Sequence, residues 1–167
     1  MNILNYIDRG GIIVYILIIF NIVGFTIMIW KIYVLYKAKR NIFKLSDIIC
    51  KSINNDLLDP IIYVKNFVSS EVQRLESGLS TVKLIASISP LIGLLGTVIG
   101  ILNSFDSITK LGLGDPTIFS SGISIALITT ITGLVVAIPH YIGYNYFMGA
   151  LDSFEIKLEQ QILDKLK

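Results

Sequence analysis

Three stretches of this chain are long, apolar and free of charged side chains: Gly11 to Trp30, Leu84 to Phe105, and about Ile118 to Phe147. A helix needs about 20 residues at ~1.5 Å each to cross the hydrocarbon core of a bilayer, and only helices or closed barrels satisfy their backbone polar groups there. The 53% hydrophobic content and the low 16% of charged residues both follow from these stretches, since a soluble domain carries about 25% charged residues. The expected fold is an all-α integral membrane protein with three long transmembrane helices. The first stretch exceeds the apolar core of a cleaved signal, roughly 7–15 residues, and the cationic "KIYVLYKAKR" follows it. It reads as a retained span with a stop-transfer flank.

Orientation follows the cations. The segment between the first two spans holds Lys31, Lys37, Lys39, Arg40, Lys44, Lys51, Lys65, Arg74 and Lys83, whereas the N-terminal tail has Arg9 and the second loop Lys110. The positive-inside rule makes the segment 31–83 cytoplasmic, with the N-terminus outside and the C-terminus inside. Trp30, Tyr33 and Tyr36 suit the inner interface. The cations themselves read as a solvated face with some attraction to anionic lipid, and a net charge of +2 excludes nucleic acid as an obvious partner.

Apolar residues recur at helical spacing outside the spans: Ile32, Leu35, Ile42, Leu45 and Ile49, then Ile61, Val64, Val68, Leu75, Leu79 and Val82, and later Leu151, Phe154, Leu158 and Ile162. Asp59 and Pro60 suit a helix N-cap and first position. The pattern predicts one helix from about Pro60 to Phe105, an outer loop "DSITKLGLGDPT", and a third helix continuing inward. Segments 31–83 and 148–167 are then cytoplasmic helical extensions, and 1–167 is a single membrane domain.

The second span carries residues that weaken helices. Ala86, Pro90, Gly93, Thr97, Gly100 and Ser104 are 4, 3, 4, 3 and 4 residues apart and share one face, flanked by Ser89, Gly96 and Asn103. In the third span Gly122, Ala126, Thr130, Gly133 and Ala137 repeat the pattern, with Thr129 beside it. Small stripes mark close helix packing in lipid, and a weakly polar stripe also suits a lumen. An oligomer can use one edge for each. No Asp, Glu, Lys or Arg lies in the core of any span, although pumps and carriers usually keep an ionisable residue at membrane depth. Asp106, at the outer end of the second span, reads as a solvated loop carboxylate. His140, after Pro139, reads as a neutral hydrogen-bonding partner. A single histidine and the single Cys50 exclude a metal centre built on either type, and no nucleophile with its base or phosphate loop is present, so the chain does not read as an enzyme or require a cofactor.

"SPLIGLLGTVIGILNSF" followed by "GISIALITTITGLVVAIPHYIGYNYF" resembles the MotA/TolQ/ExbB proton-channel family over Ser87 to Phe147. Three spans and a basic inner segment are similar to the ExbB/TolQ branch, with ExbB preferred; MotA has four spans. The resemblance implies a bacterial inner-membrane, ring-forming homo-oligomer, five copies in the best-understood cases. It implies a ring around two single-span ExbD- or TolR-like subunits that bring a membrane aspartate, and a TonB- or TolA-like protein that carries the work of proton motive force to the outer membrane. By position it implies that Thr97 and Thr130 line the lumen, and it matches Pro90, Pro139 and Gly133 to the family pattern. This chain departs at Ile125, where ExbB and TolQ proteins usually have glutamate. A membrane scaffold without ion flux is the competing reading.

Overall fold

The computed structural model describes residues 3–53, 60–111 and 116–166, and nearly all of these described residues are helical. The helices are α1 (Ile3–Arg40), α2 (Ile42–Ser52), α3 (Pro60–Glu76), α4 (Leu79–Leu111) and α5 (Pro116–Leu166). Stretches within α1, α4 and α5 are long and apolar enough to cross a membrane. The 51 residues of α5 are more than twice what a bilayer core requires, so the third apolar run and the Leu151–Ile162 stripe form one helix, as the periodicity predicts. Helix α1 is interrupted at Gly11 (φ 62°, ψ −155°), a backbone conformation essentially confined to glycine, at the first residue of the predicted span.

Two sequence expectations are corrected. The helix predicted from Pro60 to Phe105 is two helices, because Gly78 adopts φ +87° and ends α3. Glycine is the usual residue for such a left-handed stop. The periodicity continued across the break because Leu75 and Leu79 face the same core on either side of it. The connection between the second and third spans is also shorter than the expected "DSITKLGLGDPT": Asp106–Leu111 extend α4, and Pro116 already opens α5. Pro60 does begin α3, whereas the proposed cap Asp59 and most of the "NNDLLDP" break lie outside the described residues.

The chain forms two compact units. The first comprises Met1–Thr26 and Thr81–Ile142. Its apolar cluster is small: Ile13 and Leu17 of α1, Ile85 of α4 and Val136 of α5, with Phe20 and Ile92 packed against them. Large apolar side chains such as Leu91, Leu94, Leu95, Val98 and Ile101 are exposed, as suits a surface facing lipid or neighbouring helices.

The second unit comprises Ile27–Ser80 and Gly143–Lys167 and has a larger core. Leu35, Ile42, Ile49, Val64, Val68, Leu75 and Leu79 pack with Phe147, Leu151, Phe154, Leu158 and Ile162. These are the predicted stripes, except that Ile32 and Ile61 stay exposed, Leu45 is only partly buried against the core, and Val82 is buried in the first unit. Ending α3 leaves carbonyls without intrahelical donors. The buried Lys31 donates from Nζ to the Leu75 carbonyl at 2.7 Å, where an ammonium also meets the negative end of the helix dipole. Lys165 of α5 pairs with Asp47 of α2 and also donates to Ser46 Oγ at 2.9 Å.

A β-carbon on Gly78 would meet Lys31 Cε only at 3.8 Å, so the obstacle to substitution is backbone strain. Gly78→Ala should lower stability by about 1–2 kcal/mol, the cost of a left-handed non-glycine residue, read by thermal unfolding in detergent. The bond and charge from Lys165 hold the Asp47 carboxyl below the usual carboxylate range. A depressed folded-state value stabilises above the unfolded value and is lost as pH falls through the folded one. Acidification below about pH 4 should therefore weaken the wild type more than Asp47→Asn, as measured by unfolding across a pH series.

Candidate functional site: the α4–α5 interface

Within the first unit the two small stripes meet. A β-carbon placed on Gly93 would lie 2.8 Å from the Thr129 carbonyl oxygen and 3.3 Å from the Gly133 Cα. One on Gly133 would lie 2.6 Å from the Ser89 carbonyl oxygen, and one on Gly100 would lie 2.8 Å from that of Gly122. The obstructing atoms are backbone, so a side chain at these positions could be accommodated only by moving the helices apart. Gly96 gives its space to the side chain of Thr129, and Gly122 to that of Ser104. Ala86, Ala126 and Ala137 are buried. Lipid gives helices no hydrophobic reason to associate, so contact at this range, which gains dispersion along the whole seam, is the available drive.

Pro90 and Pro139 lie inside α4 and α5 without ending them. Each removes one backbone donor. Pro90 is half-buried and lines a groove of about 250 Å³ with Ala86, Leu134, Ala137 and Tyr141. Pro139 is also half-buried.

Most hydroxyls are satisfied by carbonyls of their own helix: Ser89 by Ile85 (2.7 Å), Thr129 by Ala126 (2.9 Å), Thr132 by Ile128 (2.7 Å) and Thr97 by Leu94 (2.6 Å). Such bonds meet the hydroxyl's need without a partner helix. Thr130 differs: its Oγ1 is buried and has no hydrogen-bond partner. Thr97 and Thr130, expected together at a lumen, are therefore not joined by a hydrogen bond. Both residues are half-buried, and Thr130 lies at the seam, its Cα 3.2 Å from a β-carbon on Gly93. Ile125 is half-buried, and Asp106 is exposed on the last turns of α4.

His140 is fully buried. Its Nδ1 lies 2.6 Å from the Val136 carbonyl oxygen, which only accepts, so Nδ1 carries the proton. Nε2 has no partner. The Phe25 ring meets the imidazole edge-on at 5.0 Å, and Gly24 vacates the space that the ring fills. Sequence reasoning found His140 but missed Gly24. A single glycine in an apolar run has no periodic partner to mark it.

Gly133→Val should destabilise the chain by about 3 kcal/mol, the upper range for overpacking. Gly149→Ala, where nothing lies within 4 Å of the added carbon, should be neutral or stabilise by up to ~1 kcal/mol through helix propensity. Thermal unfolding of both variants in detergent checks the contrast.

The seam lies within the region that known proteins share. Residues 61–160, well over half of the chain, match the model of the MotA/TolQ/ExbB proton channel family. The chain is 34% identical over 95 residues to the biopolymer transport protein ExbB of Pseudomonas putida, a match covering 57% of this chain and 29% of that protein. It is 41% identical over 80 residues to the Tol-Pal system protein TolQ of Pseudomonas aeruginosa, covering 48% and 35%. It is 36% identical over 103 residues to the biopolymer transport protein ExbB of Aquifex aeolicus, covering 60% and 65%. The matches thus span about a third of the Pseudomonas proteins and about two thirds of the Aquifex one. A family match across most of α3, α4 and α5, joined to ExbB and TolQ relatives at this identity, assigns the chain to the MotA/TolQ/ExbB proton channel family, in its ExbB/TolQ branch.

Proposed function

We propose that this protein is a channel and stator subunit of an inner-membrane complex that couples proton motive force to work of the TonB or Tol type. The observation that carries the reading is Thr130, whose buried hydroxyl has no partner on a seam without Asp, Glu, Lys or Arg. A hydroxyl can donate or accept, so it can meet a carboxylate in either protonation state. The carboxylate would come from a single-span, ExbD- or TolR-like subunit enclosed, in two copies, by a ring of about five copies of this chain. A TonB- or TolA-like protein would then take up the motion. Strong charge pairs would hold an inner helix in one position, whereas a small, weakly polar wall lets it turn. The relatives, a biopolymer transport protein and a Tol-Pal system protein, support the same class of work.

A second reading is a membrane scaffold that assembles the same partner without conducting. Ile125, apolar where the branch usually has glutamate, favours it, and so does Thr97, whose hydroxyl is already bonded to Leu94.

The two readings separate in proteoliposomes holding this chain and a co-purified aspartate-bearing partner. A conducting complex should carry proton flux that falls about tenfold or more in Thr130→Val, which deletes the hydroxyl at constant shape, and returns in Thr130→Ser. Native mass should show an unchanged assembly in all three. Intact assembly with no flux above empty vesicles would establish the scaffold.

A further inference from the structure

The second unit contains a groove that the channel reading does not use. It has a volume of about 420 Å³, within the range of sites that hold small organic ligands. Its lining brings together Trp30, Lys31, Tyr33 and Lys37 of α1 with Arg74 of α3, and among the described residues no carboxylate lines it. Lys31 is 4% exposed and has the Leu75 carbonyl as a partner but no ion-pair partner among the described residues. Its Nζ lies 5.3 Å from the centre of the Trp30 ring. Arg74 gives Nη2 to Glu71 at 2.6 Å and keeps its other donors. The chain thus places a buried ammonium, a second ammonium and a guanidinium around one groove.

The sequence places that groove at the edge of the apolar layer. Trp30 and Lys31 end the uncharged run of α1, and Arg74 and Ser77 precede the run that begins at Leu84. Trp and Tyr settle at headgroup level, and cations there attract anionic lipid. We propose that the groove binds the phosphate of an anionic phospholipid headgroup, with Lys31, Lys37 and Arg74 as its donors and Trp30 and Tyr33 flanking the glycerol. Sequence alone gave these cations no common site, because Arg74 lies 37 residues beyond Lys37.

Native mass spectrometry of the purified full chain, in micelles doped equally with phosphatidylglycerol and phosphatidylcholine, tests the site. Phosphatidylglycerol should be retained in preference, and each cation removed should lower that preference about fivefold, so that Lys37→Gln with Arg74→Gln abolishes it. Lys110→Gln with Lys157→Gln, which removes the same charge outside the groove, should leave it intact. Equal retention of the two lipids, or equal loss in both double variants, overturns the proposal. Displacement by an equal concentration of free glycerol phosphate also overturns it, by making the ligand a soluble phosphate. Lys31 is left unchanged because it also holds the end of α3.

Discussion

The close approach of α4 to α5 at their glycines is the constraint on which the first unit depends. At Gly93, Gly100 and Gly133 the nearest atom of the opposite helix is a backbone carbonyl oxygen, that of Thr129, Gly122 and Ser89 respectively. In lipid, leucine gains nothing by turning away from the solvent, so a seam of glycines replaces the hydrophobic effect with contact area and dispersion. The same requirement governs the polar groups. Ser89, Thr97, Thr129 and Thr132 return their hydroxyls to carbonyls of their own helix. Thr130 and the Nε2 of His140 retain unused hydrogen-bonding capacity.

The second unit follows the opposite rule. Its core is a contiguous set of Leu, Ile, Val and Phe drawn from α1, α2, α3 and α5, with leucine at the start of α4 included. That is the composition expected where apolar surface is removed from water. Lys31 shows how a local rule and a tertiary one combine. Gly78 stops α3, stopping exposes the Leu75 carbonyl, and a cation from α1 answers it. The same cation then stands in the wall of a groove shared with Lys37 and Arg74.

The uncharged seam bears on mechanism. A charge in the channel wall would attract a partner carboxylate strongly at low dielectric, and a hydroxyl does so weakly. Ile125 brings no such charge in this chain. The chemistry of transfer, in the conducting reading, then rests on the partner's carboxylate and on groups such as Thr130 that can accept either of its protonation states.

Much of this was legible in the residues alone. Uncharged length identified the spans, because a bilayer sets a fixed minimum. Helical recurrence picked out Val64, Val68, Leu151, Phe154, Leu158 and Ile162 as core, and small-residue recurrence placed Gly93 with Gly100 and Ala126 with Gly133 on one face of their helices, because both periods are properties of a single helix. Tertiary structure decided what involves two helices at once. It set Thr129 into the space of Gly96 and His140 into that of Gly24, left Thr130 unpaired while Thr97 bonded its own helix, and gathered Lys31, Lys37 and Arg74 around one groove. It also stopped α3 at Gly78 where the apolar stripe ran on, since periodicity records which face is buried and not whether φ changes sign between two turns.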